Sequence, residues 1–145
     1  MKKTADKAVL IHLRRIIKML KQNFNAKNAP EAIGPYCHAV TVGKMIFTSG
    51  QLGINPETGK LAEGVEAQAI QAINNLKAIL EEAGSGLDCL VKTTVFVKNM
   101  SDFPQINKLY GMLIPQPHPA RSCVEVAALP AGGLVEIEAM AVMRV

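Results

Sequence analysis

A chain of 145 residues with 49% apolar content is sized for one domain with a proper core, and no apolar run approaches the ~20 residues that a membrane span needs. Its three cysteines, Cys37, Cys89 and Cys123, lack the paired spacing of a zinc site or a redox motif, which argues against a disulfide framework and favours a reducing compartment. The formal charge of +4 is unevenly held: residues 1–22 carry seven Lys/Arg against Asp6, and residues 23–145 carry nine basic against eleven acidic residues, so the body of the chain is a poor general binder of nucleic acid.

In residues 5–21, Val9, Leu10, Leu13, Ile16, Ile17 and Leu20 recur at helical spacing, with Lys7, Arg14, Lys18 and Lys21 mostly elsewhere on the wheel. The pattern predicts a basic amphipathic helix. Three readings stay open for it: a helix packed on the protein or a neighbour, an upstream start with Met19 as the initiator, and a targeting or membrane-surface segment. Residues 37–42 and 44–49 predict a hairpin around Gly43, and Asn55-Pro56-Glu57-Thr58-Gly59 predicts a turn. A long helix follows from Val65 to Ala83. Its apolar stripe is Val65, Ala69, Ala72, Ile73, Leu76, Ile79, Leu80 and Ala83; Gln68, Gln71, Asn75, Lys77 and Glu81 lie off it, and Gly84 is the expected stop. Residues 89–98 predict a strand with Val91, Thr93, Val95 and Val97 on one face and Leu90, Lys92, Thr94 and Phe96 on the other. Ser101 or Asp102 is placed to cap a second helix through Ile106, Leu109, Tyr110 and Leu113, which Pro115 ends. Strands at 120–127 and 134–144 close the chain. The order β-β-α-β-α-β-β predicts an α+β domain with its helices on one face of a mixed sheet.

Several segments carry a family resemblance in a fixed order. They are Asn28-Ala29-Pro30 with Ala32-Ile33-Gly34-Pro35-Tyr36, Thr48-Ser49-Gly50-Gln51, Val91-Lys92-Thr93-Thr94-Val95-Phe96-Val97, Pro119-Ala120-Arg121-Ser122-Cys123-Val124-Glu125-Val126, and Leu134-Val135-Glu136-Ile137-Glu138-Ala139. Residues 23–145 thereby resemble the RidA/YjgF family of reactive intermediate deaminases, with residues 1–22 as an extension before the common domain. The resemblance implies a chorismate-mutase-like fold, a mixed sheet with two helices packed on one face, assembled as a homotrimer with clefts between subunits. The implied activity is that of a 2-iminobutanoate/2-iminopropanoate deaminase. Such an enzyme hydrolyses reactive enamine and imine intermediates from pyridoxal-phosphate dehydratases to 2-oxo acids and ammonia. A cytoplasmic protein with no metal, organic cofactor or membrane partner is expected.

Within these motifs Arg121 is the candidate carboxylate anchor, because a planar guanidinium meets a carboxylate with two parallel hydrogen bonds. The structural alternative is an ion pair with Glu125, Glu136 or Glu138. By two-residue alternation Arg121, Cys123 and Glu125 share a strand face too polar for a dry core, which a cleft between subunits would explain. Glu136 is the candidate that orients the hydrolytic water, with Glu138 as its rival on the same face. Cys123 lacks a histidine partner motif, so the resemblance assigns it a pocket-lining role rather than that of a nucleophile. Tyr36, Ser49, Gly50 and Asn107 match family positions around the cleft. Cys37, His38 and Leu113-Ile114 depart from common family residues and bear on substrate preference. Two other functions stay in view: an RNA-directed ribonuclease or translation inhibitor, favoured by the basic extension, and a trimer that binds a carboxylate without turnover. A scarcity of aromatic residues to stack bases weighs against the first.

Overall fold

The computed structural model describes residues 2–145, and the side chains of all of these except 2–5 and 19. Its centre is a seven-stranded mixed sheet. Along the chain run α1 (Lys2–Leu20), β1 (Lys21–Phe24), β2 (Ala39–Val42), β3 (Met45–Thr48), β4 (Gln51–Leu52), α2 (Val65–Glu82), β5 (Leu90–Val97), α3 (Phe103–Leu113), β6 (Ala120–Glu125) and β7 (Val135–Val142). The strand order is β1-β2-β3-β7-β5-β6, with β4 following β3 along the same edge of β7. All pairs are antiparallel except β5 and β6, which the α3 crossover joins in parallel.

The helices α2 and α3 cover one face of this sheet, as the element order predicts. Ala69, Ala72, Ile73, Leu76, Ile79 and Leu80 of α2 and Ile106 and Tyr110 of α3 pack on Ile46, Val95, Val97, Val135, Ile137 and Ala139. Each large apolar side chain fully buried there contributes about 1.5–3 kcal/mol. The end of α2 falls where expected, because Gly84 takes φ 82, a left-handed conformation that a side chain disfavours. The start of α3 differs. A short 3₁₀ turn at Met100–Asp102 leads into it, and neither Ser101 nor Asp102 makes the expected side-chain cap; Pro104 occupies the first turn instead.

Three further features depart from the sequence reading. The strands β1 and β4 are too short and polar to show a period of their own, and their pairing with β2 and β7 creates them. A register shift between Leu90 and Lys92 breaks the alternation of β5, so Val91 is exposed while Thr93, Val95 and Val97 are buried. Gln68 and Asn75, expected off the apolar stripe, are buried at its flank, where each ties α2 to the chain beside β4. Gln68 donates to the Ala62 carbonyl and accepts from the Leu134 N–H; Asn75 donates to the Leu52 and Ile54 carbonyls at 3.0 and 2.8 Å. Asn75→Ala strands both carbonyls, and a loss of about 1–3 kcal/mol in urea unfolding is expected. An unchanged midpoint would show that these bonds add nothing to stability.

The opposite face of the sheet is open. Val42, Phe47, Val124, Met140 and Val142 are exposed on it, with Phe47 directly across from Met140. Helix α1 meets the rest of the molecule chiefly at β1.

Candidate active site

The expected site residues fall into two groups on opposite faces of the sheet. Arg121 lies on the edge strand β6, level with Thr93 of β5, and so faces the helices. Its Nη2 donates to Asn107 Oδ1 at 2.8 Å, and its guanidinium carbon stands 4.7 Å from the centre of the Tyr110 ring and 5.4 Å from that of Phe103. The Tyr110 hydroxyl is in turn hydrogen-bonded to Thr93 Oγ1 at 2.7 Å, both residues being buried, so the platform under the guanidinium is fixed. Arg121 is in neither of the two ion pairs among the described residues, Lys77–Glu81 and Arg144–Asp88. Glu125 is engaged elsewhere, accepting from the Met100 N–H at 2.6 Å. A cation held by a neutral oxygen and aromatic faces keeps donors for an anion.

Cys123 follows Arg121 on the same face. Partial burial raises its thiol above the usual range, and the nearby Arg121 charge offsets this only in part. A raised thiol pKa disfavours the thiolate that a nucleophile needs. The polar face expected of Arg121, Cys123 and Glu125 is therefore roofed in part by α3, and it is the other face that is open.

Glu136, on β7 across from Leu52 of β4, belongs to that open side. It lines a cleft of about 560 Å³ together with Tyr36, Ser49, Gly50, Leu52 and Pro130, a volume ample for a small acid. Glycine at position 50 has a steric reason, since a Cβ there would collide with the Glu136 carboxylate. Burial, and secondarily the charge of Glu138, raises the Glu136 pKa above the ordinary carboxylate value. Glu138 itself opens onto a smaller hollow bordered by Phe47, Lys92 and Thr94.

Around the cleft, Ser49 is committed to structure. Its hydroxyl donates to the Cys37 carbonyl at 2.7 Å and its N–H to the His38 carbonyl at 2.9 Å. Tyr36 is half exposed, with its hydroxyl accepting from the Ile33 N–H at 3.2 Å. His38 is buried, and its Nδ1 accepts from the Ala26 N–H at 3.0 Å while Nε2 donates to the Pro30 carbonyl at 2.8 Å. It thus fastens the loop at 26–30 that walls the cleft.

One chain therefore brings together Tyr36, Ser49, Gly50 and Glu136, and separately Arg121, Asn107 and Cys123, with β5 between the two strands that carry Arg121 and Glu136. Sequence reasoning gave no role to Phe103, Tyr110 and Thr93 under the guanidinium, and it connected His38 with substrate preference rather than with fastening the loop behind the cleft. The two aromatic residues of α3 were the available signal for Phe103 and Tyr110; Thr93, on β5, had none. No cluster of three or more His, Cys, Asp or Glu placed to hold a metal occurs among the described residues.

Residues 26–143 match the family model described as endoribonuclease L-PSP. The 2-iminobutanoate/2-iminopropanoate deaminase of Salmonella typhimurium is 48% identical over 128 residues, covering 86% of this chain and 100% of the relative. Among solved structures, the YjgF gene product of E. coli superposes with a TM-score of 0.81 at 48% identity, covering 85% of this chain and 99% of that one. E. coli TdcF with bound serine gives a TM-score of 0.81 at 40% identity, with 85% and 99% covered.

Proposed function

The chain belongs to the endoribonuclease L-PSP family, also called RidA/YjgF, and on that premise we propose that it hydrolyses 2-iminobutanoate and 2-iminopropanoate to 2-oxo acids and ammonia. The observation that carries the reading is Arg121, a guanidinium on an aromatic platform with no ion-pairing carboxylate among the described residues of its own chain. The imino acid presents a carboxylate that matches its fork. TdcF was solved with serine, a three-carbon amino acid of the same size class.

Because Arg121 and Glu136 lie on opposite faces in one chain, a complete site takes Arg121 from one copy and Glu136 from another. A homotrimer with clefts between subunits supplies that arrangement, and it covers the exposed Phe47, Met140 and Val142 of the open face. Three free cysteines accord with a cytoplasmic setting.

In the reaction, Arg121 fixes the carboxylate, with Asn107 steadying the guanidinium. Tyr36, Gly50 and the backbone near Cys123 shape the pocket. Glu136 takes a proton from water as the water oxygen attacks the C=N carbon, and passes that proton to the imine nitrogen to give a carbinolamine. The carbinolamine then collapses. Glu136 takes the carbinolamine hydroxyl proton and delivers it to nitrogen, the C–N bond breaks, and ammonia leaves as the carbonyl forms. The uncatalysed hydrolysis is already fast, so positioning with acid–base help of ~10²-fold is sufficient. A dehydratase that releases 2-aminocrotonate, run with and without this protein while imine absorbance is followed, tests the reading. Faster loss of the imine with stoichiometric 2-oxo acid is expected, and an unchanged imine lifetime rejects it. Persistent binding of a 2-oxo acid in that case would favour the carboxylate-binding trimer. The RNA-directed alternative has the basic extension in its favour, but the negative charge of residues 23–145 opposes it.

A further inference from the structure

We propose that α1 is an interfacial helix that lies on the surface of acidic phospholipid bilayers, its apolar side in the acyl boundary and its basic side among the headgroups. This inference is independent of the deaminase reading, and it takes up the membrane-surface reading left open for residues 1–22. At about 100° per residue, Ile16, Val9, Leu20, Leu13, Ile17 and Leu10 fall within one arc of roughly 120°. Arg14, Lys7, Lys18 and Arg15 lie on the opposite side with Ile11 among them; Asp6, the one acid before residue 31, falls within the apolar arc in the first half of the helix.

The apolar arc has no cover within the chain. Its members are exposed by 40% at Ile16 to 60% at Ile17, although a helix packed on its own domain would bury them. The helix also precedes the family domain, whose match begins at residue 26. A strongly amphipathic segment of low overall hydrophobicity with a Lys/Arg-rich polar side is the physical description of a helix that lies in an interface. No helix among the described residues is long and apolar enough to cross a membrane, so the mode is surface attachment.

Charge decides among occupants. A second copy of α1 would bury the apolar arcs but leave both basic arcs without counter-charge, and nucleic acid would leave the apolar arc in water with no Phe, Tyr or Trp on the helix to stack a base. An acidic bilayer satisfies both sides at once, through counter-charge at the headgroups and burial of the leucines and isoleucines below them.

The test is co-sedimentation of the full chain with phosphatidylcholine vesicles and with mixed phosphatidylcholine/phosphatidylglycerol vesicles. Binding to the acidic vesicles, weakened by salt and at least about tenfold weaker on neutral ones, is expected. The triple substitution Arg14→Gln/Arg15→Gln/Lys18→Gln lowers acidic-vesicle binding on the order of a hundredfold. Leu13→Glu/Ile17→Glu abolishes it, and both variants keep the wild-type cooperative unfolding midpoint as proof of folding. Absence of binding to acidic vesicles, equal binding to neutral ones, or binding that survives both variants overturns the proposal. So does a smaller oligomer in Leu13→Glu/Ile17→Glu without any vesicle binding by the wild type, which would assign the face to another copy.

Discussion

Arg121→Lys is expected to lower kcat/KM for imine hydrolysis by about a hundredfold or more, equivalent to about 2.7 kcal/mol of transition-state binding. Lysine keeps the charge but loses three things. It cannot offer a carboxylate two parallel donors, it has no planar face to lie on Tyr110 and Phe103, and it cannot copy the guanidinium geometry that Asn107 Oδ1 accepts. Arg121→Ala removes the charge as well and should fall further. Since no carboxylate among the described residues is ion-paired to Arg121, neither change leaves one of them unpaired, and cooperative unfolding near the wild-type midpoint is expected. Asn107→Ala serves as the graded control. It frees the guanidinium without deleting it, so its loss should be smaller than that of either Arg121 variant and should reside mainly in KM. Wild-type activity in folded Arg121→Lys would mean that the carboxylate is held elsewhere.

The same guanidinium shows where the chain is legible and where it is not. Hydrophobic period alone locates α2, α3, β5 and β7, because each buries one regular stripe in a single core. It fails at β1 and β4, where a few polar residues become strands only because β2 and β7 lie beside them. It fails again at Gln68 and Asn75, whose burial depends on carbonyls of residues 62, 52 and 54 that no local pattern announces. For the site, the motifs pick out Arg121 and Glu136 as residue types out of place in strands. Alternation within β6 groups Arg121 with Cys123 and Glu125, and alternation within β7 groups Glu136 with Glu138. Neither says that the two sets turn to opposite sides of the sheet. That follows from register across β5, where Arg121 is level with the buried Thr93 and Glu136 is paired with Phe96 on the open side. The tertiary pairing, absent from any one segment, is therefore what makes a single chain hold two half-sites.

Glu136→Gln should abolish the acceleration of imine loss while making the protein more stable at neutral and alkaline pH. The two effects share one cause. Glu136 is held above the ordinary carboxylate pKa first by burial and then by Glu138, so its ionised form is less favourable in the folded than in the unfolded chain. A carboxyl with a raised folded pKa contributes stability that is complete below the unfolded pKa and is lost as pH rises through the folded pKa. Glutamine does not ionise. The midpoint difference between Glu136→Gln and wild type should be near zero in acid, grow across that window, and stay constant above it. Activity supplies the complementary readout, because a group that accepts a proton from water works only when ionised, so kcat/KM should fall on the acid side below the folded pKa. Glu138→Gln withdraws the second cause of the shift while leaving Glu136 in place, so the acid limb should move to lower pH with the plateau retained. Gly50→Ala attacks the geometry instead, displacing the carboxylate without changing its chemistry, and should lower the plateau. If Glu138→Gln leaves the acid limb where it was and Glu136→Gln retains the plateau, the proton in hydrolysis is moved by another group, and the raised pKa of Glu136 is only a consequence of its burial.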